Sequence, residues 1–120
     1  MRVRYKRVTI SVVAALACWL SFGLWHLGQN WIRDRAFVDA AGAGDIVAVR
    51  AYLDHGMPPD VRGYGGMTAL MWSAYYGRTE LVRLLLERGA DPRSALSQAK
   101  IMHHSDVVHM LVAAGEGRKS

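Results

Sequence analysis

The stretch GYGGMTALMWSAYYGRTELVRLLLERGADP, Gly63 to Pro92, holds two helical patterns on either side of a Gly77-Arg78-Thr79 break. In the second, Leu81, Val82, Leu85 and Leu86 recur at i, i+1, i+4 and i+5 and therefore share one face of a helix. Thr79 stands where a hydroxyl can cap that helix, and Gly89 where a left-handed residue can end it. The first pattern is short, carries Ser73 and Ala74 as small residues, and ends in Tyr75 and Tyr76.

Working outward, the stretch repeats itself at an offset of 33 residues. Phe37 and Leu70, Ala41 and Ala74, Gly44 and Gly77, Leu53 and Leu86, Asp54 and Glu87, Gly56 and Gly89 all match. Each unit is a short apolar helix ending near glycine, followed by an amphipathic one. One such pair cannot cover its own apolar face, so about three must stack before a common core exists.

Gly66, Thr68, Leu70, Ser73, Ala74, Gly77, Leu81, Val82, Leu85, Leu86, Gly89, Ala90 and Asp91 follow, in order, the pattern of the ankyrin repeat family, which this stretch resembles. Ala69 and Met71 replace the proline and histidine of the family's Thr-Pro-Leu-His box, removing part of the hydrogen bonding credited to it. The flanking units match less fully, as the ends of a stack do when one face meets water. Phe37 to Gly56 keeps Ala40, Ala41, Gly44, Val49 and Leu53. The last unit, Ala95 to Gly115, keeps Leu96, Ala99, Val107, Val108, Leu111 and Val112. Its closing glycine follows Gly89 by 26 residues, so the Asp91–Ser94 connection is seven residues short and one hairpin is trimmed. Lys100 falls at a small buried position, and its ammonium must reach outward or that pair packs loosely. The resemblance implies an all-α ankyrin solenoid over residues 35–115, divided at about 35–62, 63–91 and 92–115, with a polar tail at 116–120.

Ahead of the solenoid lies a different kind of sequence. Met1 to Arg7 carries Arg2, Arg4, Lys6 and Arg7 without an acid, and Val8 to Gly28 carries no formal charge. Some twenty helical residues cover roughly 30 Å, the hydrocarbon thickness of a bilayer, so 8–28 is expected to be a transmembrane signal anchor, with 29–34 as linker. Ala15-Leu16-Ala17 offers the rival reading, a cleaved signal peptide, but cleavage there leaves an apolar mature end. The Lys and Arg bias places the head in the cytoplasm and the repeats across the membrane, which suits a bacterial inner-membrane protein facing the periplasm.

The head also disposes of the apparent basicity. Arg2, Arg4, Lys6 and Arg7 are four of fifteen basic residues, and eleven remain against ten acids, so a formal +5 becomes +1 and no basic face is left for nucleic acid. Cys18, the one cysteine, lies in the apolar segment and can form no disulfide within the repeats. His104 and His109 stand five apart, which turns them away from each other on a helix, so the histidines of the last pair read as solvated and not as metal ligands. His55 suits a helix C-terminus. Ser73 has no histidine in reach, and Gly63, Gly65 and Gly66 lack the lysine of a phosphate loop. The sequence therefore points to no enzyme, cofactor, metal or small-molecule substrate.

What it offers is a surface. The resemblance places Tyr75 and Tyr76 at the end of the inner helix, facing the concave groove, with Tyr64 and Met67 on the hairpin tip before it. Two adjacent tyrosines bury poorly, because each hydroxyl needs a partner, whereas tyrosine serves an interface well. Trp72, a turn earlier, extends the patch, although it and one tyrosine can equally pack on a neighbouring repeat. The expectation is a membrane-tethered module holding a protein partner on Tyr64, Met67, Trp72, Tyr75 and Tyr76, as accessory factor to a periplasmic enzyme. The alternatives are an immunity-type inhibitor of a toxin and a self-assembling membrane subunit.

Overall fold

A computed structural model describes residues 2–118, with side chains from Ser11 onward. Met1, Lys119 and Ser120, and the side chains of the basic head, lie outside the described residues, as does part of the tail. Among the described residues six α-helices follow one another: α1 Arg2–Ala43, α2 Ile46–Asp54, α3 Ala69–Tyr75, α4 Thr79–Glu87, α5 Leu96–Ile101 and α6 Ser105–Gly117. Single 3-10 turns stand at Tyr64–Gly66 and Pro92–Ala95. Among the described residues there is no strand, only an isolated antiparallel bridge between Arg62 and Thr68. The chain divides into two compact units, residues up to Ile32 and residues from Arg33 on.

The first unit is helix alone. Its apolar side chains point outward, with Trp19 at 75% of its free exposure and Phe22, Leu24, Trp25 and Leu27 similarly bare. Among the described residues this is the one helix long and apolar enough to cross a bilayer. Residues 29–34, expected as linker, are helical.

The second unit is three stacked helix pairs, formed by the α1 residues from Arg33 with α2, by α3 with α4, and by α5 with α6. Its core takes Phe37, Val38, Ala41, Val49 and Leu53 from the first pair, and Leu70, Ala74, Leu81, Val82 and Leu85 from the second. Ala95, Ala99, Val107 and Leu111 come from the third. The connections between helices repeat hydrogen bond for hydrogen bond. The N–H groups of Asp45, Arg78 and His104 donate to the carbonyls of Ala40, Ser73 and Ala99 at 3.0, 2.8 and 3.0 Å. Those of Gly44, Gly77 and His103 donate to Ala41, Ala74 and Lys100 at 3.2, 3.3 and 3.2 Å. The 33-residue offset and the shortened one of 26 residues are thus both written in the backbone.

This register settles several local expectations. Lys100 does stand where Ala74 stands, and its side chain is exposed, because among the described residues no further helix pair covers that end of the stack. His103 takes the place of Gly44 and Gly77 and adopts the same left-handed turn, φ 58 against 80 and 66. A side chain there costs on the order of 1 kcal/mol relative to glycine. Gly89 follows α4 with φ 93, as a helix-ending glycine should. Thr79 does not cap α4. The carbonyl of Arg78 already accepts from Val82 at 2.9 Å, so Thr79 is the first helical residue. Its hydroxyl turns back to donate to the Gly77 carbonyl at 3.4 Å. Capping is done elsewhere. Asp45 accepts from the Ala48 N–H at 3.1 Å on α2, and Thr68 accepts from Met71 at 3.2 Å on α3. The altered Thr-Pro-Leu-His box therefore keeps its threonine cap.

The two connections between pairs differ as their lengths require. Before α3 the chain folds back as a hairpin, with Gly63 N–H donating to the Met67 carbonyl at 2.9 Å and Arg62 reaching the Gly66 carbonyl at 2.7 Å. Gly63 presses this hairpin onto α1, where an added Cβ would stand 2.9 Å from the Val38 Cβ. Before α5 a single turn suffices. Asp91 accepts from Arg93 N–H at 3.1 Å, Pro92 starts the turn, and Ser94 donates to the Asp91 carbonyl at 2.9 Å.

Candidate functional site

The five residues from Trp72 to Tyr76, the last of them the C-cap of α3, bring three aromatic rings onto one side of that helix, because residues three and four apart are neighbours on a helix. Trp72 stacks on Tyr76 with centroids 5.8 Å apart and planes 14° from parallel. Tyr75 meets both edge-on, at 6.0 Å from Trp72 and 5.1 Å from Tyr76. Such pairs attract one another beyond what their buried area provides, so the three rings form one contiguous cluster.

Its members are not equally available. Tyr76 retains 50% of its exposure, while Trp72 and Tyr75 are half-buried. Trp72 leans on Gly42 of α1, whose missing Cβ would lie 3.9 Å from the tryptophan Cβ and Cγ. This contact gives Trp72 a share in packing the first pair on the second. The end of α3 is also tied to the third pair, since the Nε2 of His104 bonds the Tyr75 carbonyl at 3.0 Å. Serving as donor there requires the proton on Nε2. His104, expected to be solvated, is accordingly half-buried, with its ring over Gly77. His103 and His109 are exposed.

Tyr64 and Met67 sit on the hairpin and make no ring contact with this cluster. Tyr64 is 75% exposed and lies under the Arg35 guanidinium, 5.9 Å from ring centroid to charge. Met67 is half-buried. Of the five residues marked in the sequence, the structure joins Trp72, Tyr75 and Tyr76 into one body and leaves Tyr64 and Met67 on a separate element. Arg78, which the sequence did not single out, adds a cation to the cluster at 5.8 Å from the Tyr76 centroid.

Electrostatics outside the cluster are structural. Arg88 at the end of α4 bonds Asp54 at the end of α2 at 2.6 Å, an exposed pair worth about 1 kcal/mol or less. Hydrogen bonds from the Arg93 side chain, then its backbone N–H, hold the Asp91 carboxyl below its ordinary range. With the folded value depressed, the turn is steadied at every pH above the ordinary carboxylate range and loses that support as pH falls through the lowered value. His55 bonds the Ala51 carbonyl at 2.7 Å at the end of α2, the C-terminal role its position implies. Among the described residues no three His, Cys, Asp or Glu side chains stand together as a metal site.

A stack of helix pairs with matching turns defines a repeat solenoid. The comparisons with known proteins give the family. A family model described as ankyrin repeats (3 copies) matches residues 29–95. Over 59 residues the chain is 41% identical to the ankyrin repeat, SAM and basic leucine zipper domain-containing protein 1 of Ovis aries, a match covering 49% of this chain and 12% of that protein. The Mus musculus counterpart is likewise 41% identical over 59 residues, with the same coverage. Over 72 residues it is 39% identical to the calmodulin-binding transcription activator CBT of Oryza sativa subsp. japonica, covering 60% of this chain and 7% of that one. The chain belongs to the ankyrin repeat family. It spans about an eighth or less of the length of these relatives, so what it shares with them is the repeat, and ankyrin repeats imply a protein-protein interaction module.

Proposed function

We propose that this chain is a membrane-tethered interaction module that holds a protein partner on the Trp72–Tyr75–Tyr76 face, on the extracytoplasmic side of the inner membrane. The observation that carries this reading is a comparison within the solenoid. The first pair has Asp39, Gly42 and Ala43, and the third has Gln98, Ile101 and Met102, where the middle pair has its three aromatic residues. The fold is built without aromatic rings at those positions twice in three. A structural need alone does not account for them, and a half-exposed tyrosine in a rigid cluster is what a recognition surface uses.

Tethering is supported by the outward-facing apolar side chains of the first helix, which a bilayer would cover, and orientation by its basic head. An uncleaved anchor would leave the repeats working within reach of the membrane, as an accessory factor to a periplasmic enzyme does. Affinity capture of the full chain from its own membranes, compared with a Tyr76→Ala variant and an Ile101→Ala control, tests the reading. One protein should be enriched by the native chain and the control, and lost about tenfold by Tyr76→Ala. Equal capture by all three would rule the aromatic face out, and capture of further copies of the chain itself would make it a self-assembly surface.

A further inference from the structure

We propose that Arg78 is the anchor for an Asp or Glu side chain of the protein partner, at the rim of the aromatic cluster; this rests on the reading of that cluster as a partner surface. The position has equivalents in all three helix pairs: Asp45, Arg78 and His104. Arg78 and His104 do the same spatial work. The His104 ring covers Gly77, and the Arg78 guanidinium covers Gly44, with its Cζ 2.8 Å from where a Cβ on Gly44 would stand. They differ in what their nitrogens do. His104 donates to the Tyr75 carbonyl at 3.0 Å, whereas Arg78 makes no corresponding bond to Gly42. Among the described residues the ion pairs engage Arg35, Arg88 and Arg93, and none engages Arg78. Its five N–H donors thus lie beside Gly44 and the Tyr76 ring, with no acceptor among the described residues.

The surroundings leave its charge standing. Arg78 lines a cleft of about 420 Å³ with Gly44, Ile46, Thr79, Glu80 and Leu81. Glu80 is the acid there, but it also lines the adjoining cleft with Arg50, Arg83 and Glu87, a set with two charges of each sign. Among the described residues no ion pair joins Arg78 to Glu80, and the guanidinium stands 5.8 Å from the centroid of the half-exposed Tyr76 ring. An exposed guanidinium without a partner of its own favours bidentate pairing with a carboxylate, and the rings beside it favour an apolar neighbour in the same segment. The complementary partner segment is therefore an acidic residue next to an aromatic or aliphatic one.

The experiment uses the full chain in lipid nanodiscs, panned with random heptapeptides fused through their C-termini to a phage coat protein, so that every carboxylate displayed is a side chain. Empty nanodiscs provide the subtraction. The native chain should enrich peptides with Asp or Glu adjoining an apolar residue. Arg78→Gln, with an unchanged helical circular dichroism spectrum, should bind the enriched peptide about tenfold more weakly, Arg78→Lys should fall between, and Arg78→Glu should select Lys or Arg in place of the acid. Peptides that depend on Tyr76 but carry no acid, or that bind Arg78→Gln within twofold, would overturn the anchor and leave the aromatic surface standing. No enrichment over empty nanodiscs would overturn both.

Discussion

Helices α3 and α5 occupy equivalent places in successive repeats, and they agree where both are buried and part where either is not. Ala69 and Ser73 of α3 match Ala95, just before α5, and Ala99 within it, and all four are buried. Trp72, Tyr75, Tyr76 and Gly77 face their counterparts Gln98, Ile101, Met102 and His103 with no chemical likeness at all. The scaffold therefore prescribes small residues where helices touch, and leaves the outer positions to be set by something else. In α5 that freedom produced an end surface, with Ile101 70% exposed and His103 in a strained turn. In α3 it produced an organised aromatic cluster with a cation beside it.

The comparison can be sharpened by substituting matched positions and measuring urea denaturation of the full chain in detergent micelles. Leu70 is fully buried and its counterpart Leu96 only half so. Leu70→Ala should cost about 2–5 kcal/mol, and Leu96→Ala clearly less. Equal costs would mean that the last pair is as tightly packed as the middle one. The inter-helix turns should respond in opposite directions. Gly77→Ala forces a side chain into a left-handed turn and against the His104 ring, and should cost about 1–2 kcal/mol or more. His103→Gly relieves the same conformation and should gain up to about 1 kcal/mol. The smallest contrast is at the helix starts. Thr68 caps α3, and Thr68→Ala should cost about 1 kcal/mol. Its counterpart Ser94 bonds only within its own turn, and α5 has no side-chain cap, so Ser94→Ala should cost about half as much or less.

Much of this was legible in the sequence, and the parts that were not have a common physical origin. Periodicity of glycine and leucine reports the stacking of helix pairs, since each unit obeys the same local rules. The 26-residue offset was visible as well, and carried one step further it places His103 on Gly77, so that strained turn had a signal. The cap of α4 was misassigned because Thr79 lies one residue past the point where the chain enters the helix, and residue type cannot resolve a single position. The bond from His104 to Tyr75 spans 29 residues, and the cover that Arg78 gives Gly44 spans 34. Both arise from how neighbouring pairs are placed, which no local pattern encodes. The aromatic residues stood out because the family resemblance puts Tyr75 and Tyr76 on the groove and two adjacent tyrosine hydroxyls bury poorly. Their division into a cluster on α3 and separate residues on the hairpin had no counterpart in spacing.

The central claim is that the ring of Tyr76 contacts a partner while the scaffold does not need it. Site-specific photo-cross-linking tests it most directly, with a benzoyl-phenylalanine placed at Tyr76 in one variant and at Val47 on α2, which is 76% exposed, in another. Irradiation in native membranes should give one discrete protein adduct from position 76 and none from position 47, with urea midpoints unchanged in both. Matching adducts at the two positions, or none at 76, would contradict the account.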